Sequence, residues 1–416
     1  MFTCTMALLA VMSGPTAGAA WQPEVGPSTR SVPAEAPETA RFWVRPGYEV
    51  SVAAADLPGA RFMEMSPHGR LLVSRPGMGD ILELRDEDGD GTYERWTAFV
   101  SDRPTVHGLC WHDGWLWFST TGSIHKARDT DGDGRAEEIV DVLPVGKLPR
   151  GGSHWWRSLL VTNDAIYTSI GDGGNISDQT DSERQKIWRF ATDGSGKTLF
   201  CSGIRNTEKL RLRPGTRELW GMDHGSDWFG KEAGDTTGNQ PITDLNPPEE
   251  INHYEEGLFY GHPFVVGNRL PRYEYLKRED IHELAAQTIP PAWSAPAHWS
   301  PNGFCFVPEV GADGAAGLGA PGRPGALPAD HAGDMIAAFH GSWNSSVPVG
   351  YCVARVLFDD ERGRPYGLLE LVRTLEEQDV LARPVDCVMA PDGSVLFSSD
   401  APGRIYRLRW TGRAPR

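Results

Sequence analysis

The chain has 416 residues and a formal net charge of −16; a surface that acidic repels phosphate backbones and anionic lipid, which excludes nucleic-acid binding and polybasic membrane docking. Its 48 Gly and 32 Pro follow no low-complexity period, so they call for many short elements joined by turns. With 15 Trp, 15 Phe and 10 Tyr, the composition excludes a disordered chain and suits β-strands around a large core.

In chain order, the apolar run Met6–Met12 is followed by small residues up to Ala20. This pattern predicts a signal peptide over residues 1–20, cleaved after Ala19 or Ala20, and hence a periplasmic or secreted protein. An N-terminal extension is expected over 21–45 and one domain over 46–410. No other stretch approaches the roughly 20 apolar residues of a membrane span. Beyond Cys4, the widely spaced Cys110, Cys201, Cys305, Cys352 and Cys387 form no CxxC or CxxCH. They read mostly as small buried hydrophobes, with one disulfide left open.

One phrase recurs: apolar residues in extended register, a small or polar residue, then a Gly-containing turn. It occupies Arg70–Leu84, Gly114–Ala127, Asp164–Gly174, Arg217–Asp227, Asp334–Asn344 and Gly393–Leu408. Most copies lie roughly 45 to 60 residues apart, the spacing of four-stranded propeller blades. The longer interval between the fourth and fifth copies predicts an insertion around Pro290–Pro301 and Gly311–Gly325. Helix is nearly absent, with one short helix expected within Arg278–Gln287. A string of β-sandwiches would need linkers, and none follows Arg45. The expected fold is an all-β, six-bladed β-propeller of four-stranded antiparallel blades.

Two acidic stretches share the pattern D-x-D-G-D-G-x-x-E. One holds Asp86, Asp88, Asp90 and Glu94; the other holds Asp129, Asp131, Asp133 and Glu137. Carboxylates at positions 1, 3 and 5 converge when Gly at 6 allows the sharp turn, and an acidic residue at 9 completes an oxygen cage suited to Ca²⁺. Strand-like flanks make both stretches hairpin loops and their ion structural. The simpler alternative is a solvated acidic turn.

His154, His224, His298 and His340 each stand at a strand edge before a loop, where propellers line their axial face. Patterns such as H-E-x-x-H, G-x-S-x-G and Walker loops are absent, so classical zinc peptidase, serine hydrolase and nucleotide chemistries have no support.

From Phe42 to Trp410 the chain resembles the soluble quinoprotein sugar dehydrogenases, the glucose/sorbosone dehydrogenase group that uses pyrroloquinoline quinone (PQQ). The resemblance rests on Ser153-His154-Trp155-Trp156-Arg157, Ser202-Gly203-Ile204-Arg205-Asn206 and Pro248-Glu249-Glu250-Ile251-Asn252. It continues through Tyr260-Gly261-His262-Pro263, His340-Gly341-Ser342-Trp343-Asn344, Gly350-Tyr351 and Arg383-Pro384-Val385. The resemblance implies PQQ across the axial mouth, among Arg157, Arg205, Asn206, His340, Trp343 and Arg383. It implies a Ca²⁺ ion held partly by the backbone oxygens of Gly225 and Ser226, with His154 as general base and Arg205 stabilising charge on the quinone. The implied partners are a sugar substrate and an external electron acceptor, a quinone or a cytochrome.

Two positions depart from the family pattern, Ser345 and Cys352, where basic residues are usual; Arg355 or Lys231 are the cations expected to compensate. Two other readings stay open. One is a lactonase-like propeller hydrolase using a central metal ion, for which Glu249 and Glu250 are the adjacent carboxylates. The other is a non-catalytic propeller that binds glycan or a partner protein.

Overall fold

Each of the six repeated phrases forms the second strand of a blade and the turn that follows it. The computed structural model describes residues 30–31, 41–230, 241–308 and 325–412. Blade I runs through Met63–Met65, Leu71–Arg75, Asp80–Arg85 and Arg95–Val100; blade II through Leu109–His112, Trp115–Thr120, Ser123–Arg128 and Glu138–Leu143. Blade III comprises Leu160–Val161, Ile166–Ile170, Lys186–Phe190 and Thr198–Ser202; blade IV comprises Thr207–Leu212, Leu219–Asp223, Glu249–Tyr254 and Trp293–Ala295. Blade V is Pro301–Phe306, Met335–Phe339, Cys352–Phe358 and Pro365–Arg373. Blade VI takes three strands from the C-terminus, Pro384–Met389, Val395–Ser399 and Arg404–Trp410, and its fourth, Tyr48–Ala54, from the N-terminus. Neighbouring first strands touch all the way round, the sixth meeting the first, so that fourth strand closes a ring.

The position of a strand in its blade follows from its pattern. Met335–Phe339 (MIAAF) is buried throughout because neighbouring blades cover both its faces, whereas Glu138–Leu143 is exposed over its first four residues. Across the axis, Lys209 of blade IV pairs with Asp386 of blade VI at 2.5 Å, both side chains almost wholly buried. Removing one partner of such a pair costs about 3–5 kcal/mol. Gly303 makes room for it, since a Cβ there would overlap the Asp386 carboxylate.

Three sequence expectations shift. The ordered insertion lies between the third and fourth strands of blade IV, with a Val265–Val266/Leu270–Pro271 hairpin and a helix at Ile281–Gln287. Residues 290–301 instead supply the fourth strand of blade IV and the start of blade V, and residues 309–324 lie outside the described residues. The expected extension contributes Trp43–Val44 as a fifth strand of blade V, while the signal-peptide residues lie outside the described residues. The five cysteines beyond Cys4 are buried and unpaired.

Candidate active site

Because successive strands alternate direction, blade-to-blade connections and second-to-third-strand turns gather at one end of the ring. There they enclose a cavity of about 270 Å³. The connections supply Arg61, His154, Trp156, Arg205 and Arg383, and the turns supply Gly225, Asp227, His340 and Trp343.

His154 lies 2.9 Å through Nδ1 from the Asp172 carbonyl, which takes the Nδ1 proton and leaves Nε2 as an acceptor. Burial, then the charge of Arg205, hold its pKa well below the usual imidazole value, so the ring is neutral. Arg205 donates through Nε to the Asn175 carbonyl (3.0 Å) and through Nη2 to Asn175 Oδ1 (2.7 Å) and Asp227 Oδ1 (3.1 Å). The backbone N–H groups of Arg205 and Asn206 both donate to Asp223, whose carboxyl is pushed up to about 6 by burial. Asn206 also reaches Glu208 Oε1 at 3.1 Å.

On the opposite wall, His340 bridges Asp400 and Arg383: its Nε2 is 3.1 Å from both Asp400 oxygens, and its Nδ1 accepts from Arg383 Nη2 at 3.1 Å. Burial would raise the pKa of Asp400, but the His340 hydrogen bond, with the charges of Arg61 and Arg383, brings it down to about 2. Arg61 forks between Asp400 (2.8 Å) and Glu208 (3.1 Å), with its guanidinium 4.4 Å from the Trp156 ring centroid. Gly225 N–H donates to Glu249 Oε2 at 2.6 Å, and burial pushes the Glu249 carboxyl up to about 7. The Ser226 hydroxyl is engaged with the Trp228 carbonyl and Arg272, so only its backbone oxygen can serve a cation as the resemblance implies. Trp343 stands at the rim with 66% of its surface exposed.

Two expectations are corrected. Arg157 is fully buried and spends its guanidinium on the carbonyls of Pro149, His154 and Trp156, so it braces the His154 loop and stays out of the cavity. Arg355 is held by Asp330 and Asp334 between strands of blade V, away from the mouth; Lys231 lies outside the described residues. The third cavity arginine is Arg61, which no repeated phrase contains. Asp400 is likewise absent from the sequence reading, although it directly follows the second strand of blade VI as His340 follows that of blade V.

The two acidic loops are the third-to-fourth-strand turns of blades I and II, at the opposite end of the ring. In each, four carboxyl oxygens lie within 4.8 Å of one another. Their internal bonding matches: Asp86 accepts from Gly89 and Gly91 N–H, and Asp129 from Gly132 and Gly134 N–H. Among the described residues, the axial carboxylates form no such group, and Glu250 turns away to the Gly267 N–H. A chain Ser123–His125–Asp141 in blade II has triad-like distances of 2.8 and 2.7 Å. Ser123, however, is fully buried, and its Oγ is engaged by Thr120 as well as by His125.

Comparison with known proteins agrees with the fold. An uncharacterized protein of Borreliella burgdorferi is 28% identical, with 78% of this chain and 84% of that protein covered. Among solved structures, the calcium structure of a Trichoderma reesei carbohydrate-active enzyme of family AA12 superposes with TM-score 0.73 at 19% identity, covering 89% of this chain and 97% of that one. The holo PQQ domain of Coprinopsis cinerea pyranose dehydrogenase gives 0.73 at 18%, covering 91% and 100%. The soluble aldose sugar dehydrogenase of Escherichia coli gives 0.58 at 17%, covering 87% and 99%. The sequence model of the TrAA12-like family matches residues 42–411, the whole ring from the strand added to blade V to the end of blade VI, and the chain belongs to that family.

Proposed function

We propose that this protein is a quinoprotein oxidoreductase that oxidises a hydroxyl-bearing carbon of an aldose or related sugar, with PQQ as cofactor and Ca²⁺ beside it. One observation carries the reading: a neutral, half-buried imidazole shares a cavity with three arginines, Arg61, Arg205 and Arg383. Guanidinium groups gathered in that way fit a flat, multiply anionic ligand. PQQ, when bound, supplies the two-electron acceptor. Arg61 and Arg383 would hold its carboxylates, Arg205 and Asn206 its quinone oxygens, and the carbonyls of Gly225 and Ser226 would share the Ca²⁺. His154 Nε2 takes the proton of the substrate hydroxyl, a transfer that a tethered neutral base performs without titrating first.

The family membership and the PQQ-bound pyranose dehydrogenase neighbour support this reading. An external quinone or cytochrome is the acceptor that would complete the cycle, and export to the periplasm or medium is the compartment proposed from residues 1–20.

The test is an absorbance titration of the protein with PQQ and Ca²⁺, followed by addition of aldoses. Binding with aldose-dependent bleaching is expected. His154→Ala should lower kcat by about 10²–10⁴ while PQQ still binds. No spectral change on adding PQQ would reject the cofactor, and undiminished turnover in His154→Ala would reject the base.

A further inference from the structure

The segment inserted in blade IV reaches back to blade III. Its backbone is laced to the outer strand there: Gly257 N–H to Phe200 O (2.7 Å), Ser202 N–H to Leu258 O (3.1 Å), Tyr260 N–H to Ser202 O (2.8 Å) and His262 N–H to Gly203 O (3.0 Å). Gly261 makes the turn at φ +104°, where a Cβ would come within 2.6 Å of the Val265 carbonyl. That turn aims His262, 6% exposed, beneath the second-to-third-strand turn of blade III.

There His262 Nε2 stands 2.7 Å from Asp172 Oδ2. Asp172 is fully buried, and its carboxylate also accepts from Gly174 N–H (2.7 Å), Ser177 N–H (3.1 Å) and Gln185 Nε2 (3.0 Å). Burial alone would raise its pKa, but the His262 hydrogen bond and the other donors bring it down to about 2; burial lowers that of His262 to about 4. A neutral His262 thus donates to an ionised Asp172. The main chain of Asp172 meets two residues that line the cavity: its carbonyl takes the His154 Nδ1 proton at 2.9 Å, and its N–H donates to the Arg205 carbonyl at 2.8 Å.

We propose that His262 is a positioning residue for His154: by holding Asp172 from behind, it fixes the carbonyl that selects the His154 tautomer with Nε2 free for the substrate proton. The inference rests on the assignment of His154 as base. It gives the insertion a part in the active site, since the segment that leaves blade IV supplies the support for blade III. A carbonyl released from that support would shift, and a misplacement of about 1 Å at a catalytic group can cost about 10²-fold.

The test uses full-length protein labelled with ¹⁵N-histidine, read without cofactor at neutral pH, where the ring nitrogen shifts report the tautomer. The His154 signals are assigned by their loss in His154→Ala. Wild type and His262→Gln, whose amide keeps a donor near the Nε2 position, should show the single Nδ1–H tautomer of His154. His262→Phe should show a tautomer mixture. In PQQ-loaded protein, His262→Phe should lower kcat about 10–100-fold with the PQQ Kd changed less than about threefold, and His262→Gln should restore kcat to within about threefold.

A single unchanged tautomer and unchanged kcat in His262→Phe would overturn the proposal, as would failure of His262→Gln to rescue. Should His262→Phe not fold, Asp172→Ala removes the acceptor that His262 holds and must give the same tautomer mixture, or the proposal falls. Turnover retained in His154→Ala would sink the base assignment and leave the tautomer result standing.

Discussion

Arg61 brings a guanidinium to the cavity of a chain that lacks two basic residues of the family pattern. Cys352 is fully buried in the core between blades IV and V, so its site opens onto no ligand, and Ser345 lies just beyond the four residues, His340, Gly341, Trp343 and Asn344, that its loop gives to the cavity. Arg61 arrives from the connection between blades VI and I. A charge-assisted bond is worth about 1.5–3 kcal/mol, so Arg61→Gln should weaken PQQ binding by about tenfold or more. Ser345→Arg should change it far less. Titration with PQQ in Ca²⁺ measures both, and a thermal melt checks that Glu208 and Asp400 tolerate the loss of their partner. Equal affinities for wild type and Arg61→Gln would remove Arg61 from the cofactor's surroundings.

His154 yields a second test at this scale. Burial and Arg205 hold its pKa well below 6.5, so the base stays unprotonated as pH falls through the range where a solvated imidazole would be lost. The kcat/KM of loaded protein should therefore remain flat from pH 8 to below pH 6.5. An acid limb centred at or above 6.5 would contradict this environment. His154, Arg205, Asn206, His340 and Arg383 were legible because each stands in a short ordered motif. Arg61 and Asp400 act through contacts across 339 and 60 positions of chain, which no local pattern encodes; His262 stands in one of the motifs, but its contact with Asp172 spans 90 positions and is not written there.

Among elements, the acidic loops were the most legible, because a nine-residue pattern carries both the turn and its converging carboxylates. What the sequence lacked was their neighbour. Arg70, from the turn between the first two strands of blade I, reaches Asp129 at 3.5 Å, and Arg85 donates to the Gly132 carbonyl at 3.0 Å. The blade II loop is therefore seated on blade I. A cation bound there would tie two blades together and, as it binds only the folded state, would stabilise by an amount set by its concentration over Kd. Chelation should lower the Tm of protein free of PQQ, and replacing both Asp88 and Asp131 by Ala should abolish that response. A melt that still responds fully in the double variant would place the stabilising ion elsewhere, with Gly225 and Ser226 the next candidates. The insertion was misplaced in the sequence for a related reason: its Pro-rich end looks like loop, yet residues 293–295 are strand because blade IV lacks any other outer edge.

At the scale of the whole molecule, the ring buries its histidines neutral. Burial lowers the pKa of His107, His125, His154, His224, His253, His262, His331 and His340, with His224, His262 and His331 falling to about 4. Below pH 6.5 the unfolded chain takes up these protons and the folded chain does not. The stability they contribute is thus complete above 6.5 and drains away as pH falls, at about 1.4 kcal/mol per pH unit for each proton. Five carboxyls oppose this: burial raises Asp86 and Asp334, and brings Asp223, Glu249 and Glu250 to about 6, 7 and 8, so they take up protons in the folded state first and stabilise it on acidification. The eight histidines outnumber them and pull the balance towards proton uptake on unfolding. Closure strengthens the effect, because Tyr48 on the ring-closing strand is hydrogen-bonded to His331 at 2.5 Å, and protonating that ring removes the acceptor beside Arg355. Thermal melts of chelator-treated protein from pH 7 to pH 5 should therefore show a falling Tm well before ordinary carboxylates titrate. A Tm that holds or rises across that interval would mean that the raised carboxyls, and not the neutral histidines, set the balance of protons.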